Sequence, residues 1–466
     1  MGWEKGPPGK LSNKNLWGYA FGAVPGVLLG FIFALKYVEF FYNDLRLLPI
    51  YFIIGQVIYM TINALNDPLS GQLSDRTNSE KWGSRRIIYI KYGGPIWAAT
   101  FLLVWFPWSL DDQFIIFLHY VISICLFDTL LTLVVLVWLA TLPEMTPDLD
   151  QRNKAHFVSI VLGTITFVVA FIIIFPMTPN SDVFRITMGV IAVISTIFLF
   201  LVARMCEEKP EFRKDERFSL GKSLKETFKS KAFIRYVPYN FASGLLGNLA
   251  LSYVFIYVLL LDRVSPGAAV AYYFLIYILV GFGANIFCMW LRPKWGMRKI
   301  ILVFGTSRVI GVLILFIIIL DPALEWFIWI GFLWTTFFGG YGIFQMPMNF
   351  LAIDEDEVKH GVRREGMFLG INALLTKPAA SLGPIIATLI LVYFGYIQGA
   401  PGADQPESAF LGIKILMFLV PAIVVALSLI PIYFYPLHGE RLKEMKEKLK
   451  EIHDIKRKKW LESINK

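Results

Sequence analysis

Apolar residues fall into twelve runs along the chain, and each run is long enough to cross a membrane as a helix. A spanning helix needs about 20 mainly apolar residues, because the hydrocarbon core is about 30 Å thick. The runs lack the alternation of barrel strands, and lipid offers the backbone no hydrogen-bonding partner, so the pattern predicts helices. The predicted spans are residues 16–42, 47–71, 87–108, 113–142, 154–177, 183–204, 232–260, 267–292, 299–320, 324–352, 364–396 and 408–435.

The composition of the chain agrees with this pattern. Of its 466 residues, 56% are hydrophobic and 17% are charged, whereas soluble domains average roughly 45–50% and about 25%. This balance excludes a disordered or fibrous chain and argues against a water-soluble enzyme. The five histidines and three cysteines show no metal-ligand spacing, so we expect no metal site and no cofactor.

The basic residues are sorted to one side of the predicted helices. If the N-terminus is cytoplasmic, 37 of the 44 lysines and arginines fall in the tails and loops on that side. This asymmetry follows the positive-inside rule and predicts a multi-pass protein of the plasma membrane with both termini in the cytoplasm. The net charge of +9 is then mostly a topology signal. Because the basic residues are dispersed over loops, nucleic-acid binding is not expected.

The two halves of the chain repeat each other. Residues 82–86 (WGSRR) precede the third run and residues 295–299 (WGMRK) precede the ninth, an offset of 213 residues. We therefore predict an all-α membrane protein with twelve transmembrane helices in two pseudo-symmetric six-helix bundles, an architecture typical of transporters. The predicted parts are an N-terminal tail (1–15), two bundles (16–204 and 232–435), a central loop (205–231) and a basic amphipathic tail (436–466).

Three motifs carry a resemblance to a known family. They are residues 66–77 (NDPLSGQLSDRT), residues 143–148 (PEMTPD) and residues 353–373 (IDEDEVKHGVRREGMFLGINA). Together they resemble the glycoside–pentoside–hexuronide:cation symporters, the melibiose-permease-like family within the major facilitator superfamily. The resemblance implies the major facilitator fold and secondary active transport of a small polar solute, a sugar or glycoside, by alternating access with proton or cation coupling.

The resemblance also implies a coupling site. It places a coupling carboxylate at Asp67 and a lysine of the other bundle, Lys377, close to it, and charged groups within a span usually face a cavity or a partner. Asn63 and Asn66 lie beside Asp67 in the second run. A structural cap at Asp67, next to Pro68, and a snorkelling Lys377 are the alternatives.

The chain lacks other carboxylates that sodium-coupled members of the family carry. The first run has no acid between residues 21 and 30, and by alignment to the family the fourth run has Val135 where an acid is expected. Asp128 lies two helical turns from Val135 on a similar face and is a candidate replacement. Since a proton needs only one titratable group, we expect proton coupling rather than sodium coupling, with uniport or exchange left open.

Charged residues in the predicted cytoplasmic loops are candidates for a gate. Pairs such as Asp75 with Arg85, or Glu144 with Arg152, can tie helices together within a bundle. Pairs between bundles would stabilise an outward-open state and break on inward opening. Each exposed pair contributes little free energy, but a set of pairs can shift the balance between two conformations that differ by a few kcal/mol. The alternative is that these charges only set the orientation of the helices in the membrane. The candidate gate residues are Asp75, Arg76, Arg85, Arg86, Glu144, Arg152, Asp354, Glu355, Arg363 and Arg364.

Polar and aromatic side chains within the spans are candidates for binding the solute. Trp138 follows the position of a substrate aromatic in the family, and each of the others could equally be ordinary packing or an interface aromatic. The candidates are Tyr19, Trp138, Asn248, Tyr253, Gln345, Asn349 and Asn372. Apart from the solute and the bilayer we expect no partner, and we expect a monomer.

Two other functions compete with sugar transport. An arginine that helps hold sugar in the family would fall near Ser159, so a lysolipid or amphiphile transporter on the same fold stays open. A membrane-embedded prenyl transferase is disfavoured, since magnesium diphosphate chemistry needs several carboxylates on one face and Ser70 and Ser74 occupy intermediate positions. Residues 440–456 show apolar positions at helical spacing, which predicts an amphipathic helix on the cytoplasmic membrane face.

Overall fold

The computed structural model describes residues 11–75, 77, 82–84, 86–146, 149–207, 227–252, 254–265, 269–361 and 365–464. Within a few helical stretches, including the one around Asp67, only the backbone is described. Every regular element in these residues is a helix. The predicted all-α class is therefore confirmed.

The described residues form twelve helices of the two bundles, and a thirteenth helix follows them. Their bounds are α1 Asn13–Asp44, α2 Pro49–Asp75, α3 87–105, α4 Gln113–Met145, α5 Leu149–Ile174, α6 Asp182–Met205, α7 Lys231–Ser252 with Val254–Val264, α8 269–295, α9 297–318, α10 Pro322–His360, α11 Glu365–Thr376 with Pro378–Tyr393, α12 Glu407–Tyr433 and α13 Gly439–Ile464. Helices α1–α6 form the first bundle and α7–α12 the second.

Eight helices of the described residues are long and apolar enough to span a membrane by length and composition. One of them, Tyr272–Ile318, covers most of α8 and all of α9. These two helices are joined without a break except at Gly296, where the backbone leaves the helical conformation. Gly296 adopts φ 74°, a left-handed conformation that glycine enters without steric cost. The repeated sequence places Gly83 at the matching turn before α3, and its φ is 73°. The WG motif is thus a helix-reversing turn in both halves.

The two ends of the molecule differ in how the bundles meet. We call the end that carries Asn13 and Gly439 the tail face, and the end that carries the α1–α2 link and residues 394–406 the loop face. One apolar core runs from the first bundle into the loop-face ends of α7, α10, α11 and α12. A separate apolar cluster fills the tail-face end of the second bundle. Among the described residues, the bundles therefore share an apolar core toward the loop face.

Helix α13 packs against the second bundle. Met445 is buried in the tail-face cluster, and Leu442 packs against it. Arg441 Nη2 lies 2.9 Å from Glu355 Oε1 of α10. The predicted amphipathic helix is present, but its apolar stripe is used in part to cover protein.

Candidate functional site

A cavity of about 830 Å³ lies between α2 and α4 of the first bundle and α11 of the second. Aliphatic side chains such as Leu131, Leu136 and Leu374 make up most of its wall. The polar side chains that reach it are Tyr59, Asn63, Asp128, Thr132 and Lys377. A largely apolar pocket with a few convergent polar groups is the usual form of a small-molecule site.

Asp128 is the acidic centre of this cavity among the described side chains. It is only 7% exposed, and its carboxylate accepts hydrogen bonds from the Tyr59 hydroxyl and from Asn66 Nδ2, each at 3.0 Å. Thr129 donates in turn to Asn66 Oδ1 at 3.3 Å. A carboxylate costs several kcal/mol in a membrane interior unless it is bonded or faces a cavity, and Asp128 does both.

Lys377 brings a positive charge to the same cavity from the second bundle. Its Nζ donates to the backbone carbonyl of Asn63 at 3.2 Å, which is a contact between the two bundles. Pro378 follows Lys377 and has no backbone N–H, and α11 is divided into two segments at this position. The sequence-predicted partner of Lys377 was Asp67, whose side chain lies outside the described residues.

Asn63, Asp128 and Val135 were selected from the sequence as positions around a coupling site, and all three line the cavity. Val135 and Asp128 therefore share a face of α4, as their spacing predicted. Tyr59 was missed by sequence reasoning. It lies one helical turn before Asn63, and this spacing on one face of α2 is the signal that could have found it.

Most of the predicted substrate residues lie elsewhere. Tyr19 and Trp138 stack on each other with ring centroids 5.0 Å apart inside the first bundle, and Trp138 Nε1 donates to the Tyr19 carbonyl. Asn248 donates to Gly244 of its own helix. None of these three is among the residues that line the cavity.

The remaining candidates lie in α7, α10 and α11. Asn372 accepts a hydrogen bond from Asn240 at 3.0 Å, between α11 and α7. Asn349 is fully buried, and both its side-chain polar atoms lack a partner among the described residues. Gln345 begins the last straight segment of α10, after a 3₁₀ turn at Gly340–Phe344. Tyr253 lies outside the described residues.

Two of the predicted gate residues at the tail face, Glu355 and Arg152, make contacts within the first bundle, within α10 or with α13. Glu355 pairs with Lys359 at 3.2 Å and with Arg441 of α13 at 2.9 Å. Arg152 Nε donates to the Thr146 carbonyl at 2.7 Å. Arg86 and Asp354 are described, but the rest of the set lies outside the described side chains: Asp75, Arg76, Arg85, Glu144, Arg363 and Arg364.

The loop face holds contacts between the bundles that sequence reasoning missed. Asn43 Oδ1, at the end of α1, accepts from the Tyr396 hydroxyl at 3.0 Å and from the Gly399 N–H at 2.9 Å. Gln398 Nε2 donates to the Leu47 carbonyl at 2.9 Å. We call Asn43, Leu47, Tyr396, Gln398 and Gly399 the loop-face clasp. These residues are about 350 positions apart, and no sequence pattern connects them.

Two buried ion pairs lie near the same face. Lys36 Nζ is 2.7 Å from Glu39 Oε2 within α1. Lys414 Nζ of α12 is 2.7 Å from Glu325 Oε1 at the start of α10, and both side chains are under a tenth exposed. Arg263 Nε lies 3.7 Å from Glu325. The lysines and both glutamates lie inside predicted spans of the sequence, but only the structure shows that Lys414 and Glu325 meet.

The sequence matches a family model described as MFS/sugar transport protein over residues 18–439. Transmembrane protein 180 of Gallus gallus is 24% identical over 89% of this chain and 91% of its own length. The isoprimeverose transporter of Lactiplantibacillus pentosus is 22% identical over 87% and 85%. An uncharacterized symporter of Bacillus subtilis, YnaJ, is 25% identical over 94% and 95%.

Solved structures share the fold at low sequence identity. The crystal structure of the nucleoside transporter NupG superposes with a TM-score of 0.63 at 13% identity and covers 91% of this chain and 100% of its own. The crystal structure of a D-xylose-proton symporter gives 0.57 at 13% identity, covering 88% and 97%. At this identity the likeness establishes the arrangement of twelve helices in two bundles.

Proposed function

Because this chain belongs to the MFS/sugar transport family, it is a membrane-embedded secondary transporter of a small polar solute and not an enzyme, and we propose that it moves a sugar or glycoside together with a proton. Alternating access is the proposed cycle, in which the two bundles rock about the central cavity. The family description and the isoprimeverose transporter among its relatives support a sugar as the solute.

The observation that carries this proposal is the meeting of Asp128 and Lys377 on one cavity. An acid of the first bundle and a cation of the second border the same space, so a change in the charge of Asp128 acts on the contact between bundles. Asp128 already accepts from Tyr59 and Asn66. One titratable carboxyl with two neutral donors suits a proton better than sodium, which takes several oxygen ligands.

The contacts at the two faces support a direction for access. The loop-face clasp and the shared apolar core close the cavity toward the loop face. We therefore propose that the cavity opens toward the tail face in this conformation. The positive-inside rule assigns the tail face to the cytoplasm, which makes this the inward-facing state of a protein whose termini are cytoplasmic.

The cavity wall also favours a second candidate solute. Leucine and valine side chains of α4 and α11 outnumber the polar groups that reach the cavity. An amphiphile such as a lysolipid would place its chain against this wall and its headgroup near Asp128 and Lys377. A sugar, in contrast, needs exchange of hydrogen bonds with its hydroxyls, which only the polar side chains of the cavity can provide.

Uptake by proteoliposomes tests both candidates. Purified protein is reconstituted, and uptake of isoprimeverose, D-xylose and a lysolipid is measured with an imposed pH gradient, a sodium gradient or neither. We expect saturable sugar uptake that a pH gradient accelerates. Asp128→Asn, which keeps the side-chain shape but cannot release a proton, should lose the acceleration and retain exchange of solute across the membrane.

The matched control is Asp111→Asn, which removes an exposed carboxylate of the α3–α4 link. It should transport as the unmodified protein does. Equal stimulation by the pH gradient in Asp128→Asn and in the unmodified protein would contradict the coupling role of Asp128. Saturable uptake of the lysolipid without uptake of either sugar would replace the sugar proposal by the amphiphile.

A further inference from the structure

A second cavity, of about 260 Å³, lies inside the second bundle between α7, α8, α9, α10 and α12. It is separate in its lining from the central cavity and is richer in polar groups. Arg308 of α9 reaches it, together with the hydroxyl-bearing side chains Tyr239, Ser243, Tyr277 and Thr335. No part of the transport proposal uses this cavity.

Arg308 is placed where a charge is expensive. It lies near the middle of α9, about equally far from the turn at Gly296 and from the end of the helix at Ile318. A charged side chain at the centre of a membrane costs at least about 2.5–3.5 kcal/mol and normally faces a partner or a water-filled space. From this depth a guanidinium cannot reach either interface without turning along the bundle interior.

The other cations inside the spans have partners, and Arg308 differs from them. Lys36 and Lys414 form buried ion pairs with carboxylates, and Lys377 donates to the Asn63 carbonyl. Within the described part of the chain, the buried Arg308 Nε has no hydrogen-bond partner, and no carboxylate forms an ion pair with this side chain. A buried donor without a partner costs about 1–3 kcal/mol, and more when it is charged.

Local packing keeps the space beside the guanidinium open. A Cβ atom built on Gly339 of α10 would stand 3.5 Å from Arg308 Nη1, so any larger residue there would cover the guanidinium. The Tyr239 hydroxyl proton is already used, because it is donated to the Tyr341 carbonyl at 3.1 Å. The hydroxyls of Ser243 and Tyr277 border the cavity and can donate to a bound group.

The repeat gives Arg308 no charged equivalent in the first half of the chain. The 213-residue offset of the repeat pairs Arg308 with Pro95. The positive charge that borders this cavity is therefore absent from the matching position of the first bundle.

We propose that the second bundle holds an anion site, in which the Arg308 guanidinium binds a carboxylate or phosphate group. The planar fork of arginine matches both groups with two parallel hydrogen bonds. The group belongs either to a water-soluble anion or to the headgroup of an anionic lipid. The site does not depend on which solute the central cavity carries.

Thermal unfolding of the purified protein in neutral detergent tests this site. Sodium phosphate, sodium D-glucuronate and phosphatidylglycerol are titrated separately at constant ionic strength, with phosphatidylcholine as the neutral lipid. We expect a saturable rise of the midpoint with at least one anionic probe, since a ligand that binds only the folded state stabilises it. Arg308→Gln should weaken the apparent affinity by about tenfold or more, as loss of a charge-assisted pair predicts.

Arg204→Gln is the matched control, since it removes an exposed arginine at the end of α6. Its response should equal that of the unmodified protein. A soluble-anion response assigns the site to a dissolved anion, and a response to phosphatidylglycerol alone assigns it to a lipid headgroup. An unchanged response in Arg308→Gln, or no saturable response to any anionic probe, overturns the proposal.

A measurement on the unmodified protein covers the case in which Arg308→Gln does not fold. Phenylglyoxal modifies accessible guanidinium groups, and peptide mass spectrometry reports the modification of Arg308 and Arg204 separately. The effective anionic probe should slow modification of Arg308 at least several-fold and leave Arg204 unchanged. Equal protection of both arginines, or of neither, argues against a site at Arg308.

Discussion

The loop face and the tail face use similar chemistry in different surroundings. At the loop face, Lys414 and Glu325 form a 2.7 Å ion pair that is under a tenth exposed. At the tail face, Lys14 and Glu207 form a pair of the same length that is about half exposed. Each of these two ion pairs stays within one half of the molecule, and the contacts of the clasp are what join the two bundles at the loop face.

Part-buried hydrogen bonds between the bundles stabilise a closed loop face, because breaking them leaves polar groups without partners. Exposed ion pairs such as Lys14–Glu207 are worth about 0–1 kcal/mol and exchange readily with water. The clasp therefore ties the two bundles at the loop face in this conformation, whereas the Lys14–Glu207 pair adds little stability at the tail face.

The largest expected effect comes from breaking the buried pair. Lys414→Met leaves the Glu325 carboxylate buried and should destabilise the protein by about 3 kcal/mol, the low end of the range for a broken buried pair. The effect is at the low end because Arg263 Nε remains 3.7 Å away from Glu325. The measurement is the thermal midpoint in detergent.

Lys14→Met removes the same atoms from a pair of equal length at the tail face. It should lower the stability by no more than about 1 kcal/mol, because both partners remain hydrated. If the two variants unfold at the same temperature, burial does not distinguish the two faces and the comparison fails.

A smaller effect is expected at the clasp. Asn43→Ala removes two hydrogen bonds between the bundles, worth about 1–2 kcal/mol together. The population open at the loop face should rise by a factor of roughly 5–30. Spin labels at Leu110 and Ala403, exposed positions on the two bundles, report this change as a longer distance in double electron–electron resonance.

Gln113→Ala serves as the control for the clasp. Gln113 also accepts and donates at the loop face, but its partners Leu48 and Arg46 belong to its own bundle. The label distances should keep their original distribution. A shift of the same size in both variants would mean that general loosening of the face, rather than the clasp, sets the distance.

The smallest effect is expected at the tail helix. Arg441→Ala removes one of two cations beside Glu355, and Lys359 remains 3.2 Å from it. The loss should be below about 1 kcal/mol and should appear as faster amide hydrogen exchange in α13 with transport unchanged. Lys443→Ala, whose partner Glu440 lies in α13 itself, should leave exchange across α13 the same. A large loss of transport in Arg441→Ala would contradict this prediction, because it would show that the contact between α13 and α10 is needed for transport.

Sequence reasoning reached the fold and part of the cavity. The WG repeat predicted duplicated halves, and the structure shows that its glycines, Gly83 and Gly296, both adopt positive φ at a helix turn. Helical spacing placed Asp128 and Val135 on one face of α4, and both line the cavity. The same reasoning selected Tyr19 and Trp138 for the solute, yet these two rings stack on each other inside the first bundle. Periodicity identifies the residues that share a helix face, but it does not give the direction in which that face points.

The sequence by itself determined the number, length and all-helical nature of the spans, because each apolar run must satisfy its backbone internally in lipid. The tertiary structure decided which charges have partners. Lys36 and Lys414 form ion pairs with carboxylates. Lys377 donates to the Asn63 carbonyl of the other bundle, and Arg308 borders a cavity. The Lys36–Glu39 pair is local to α1, but the other outcomes depend on the rotation of each helix and on contacts between residues as far as 314 positions apart, which no local pattern encodes.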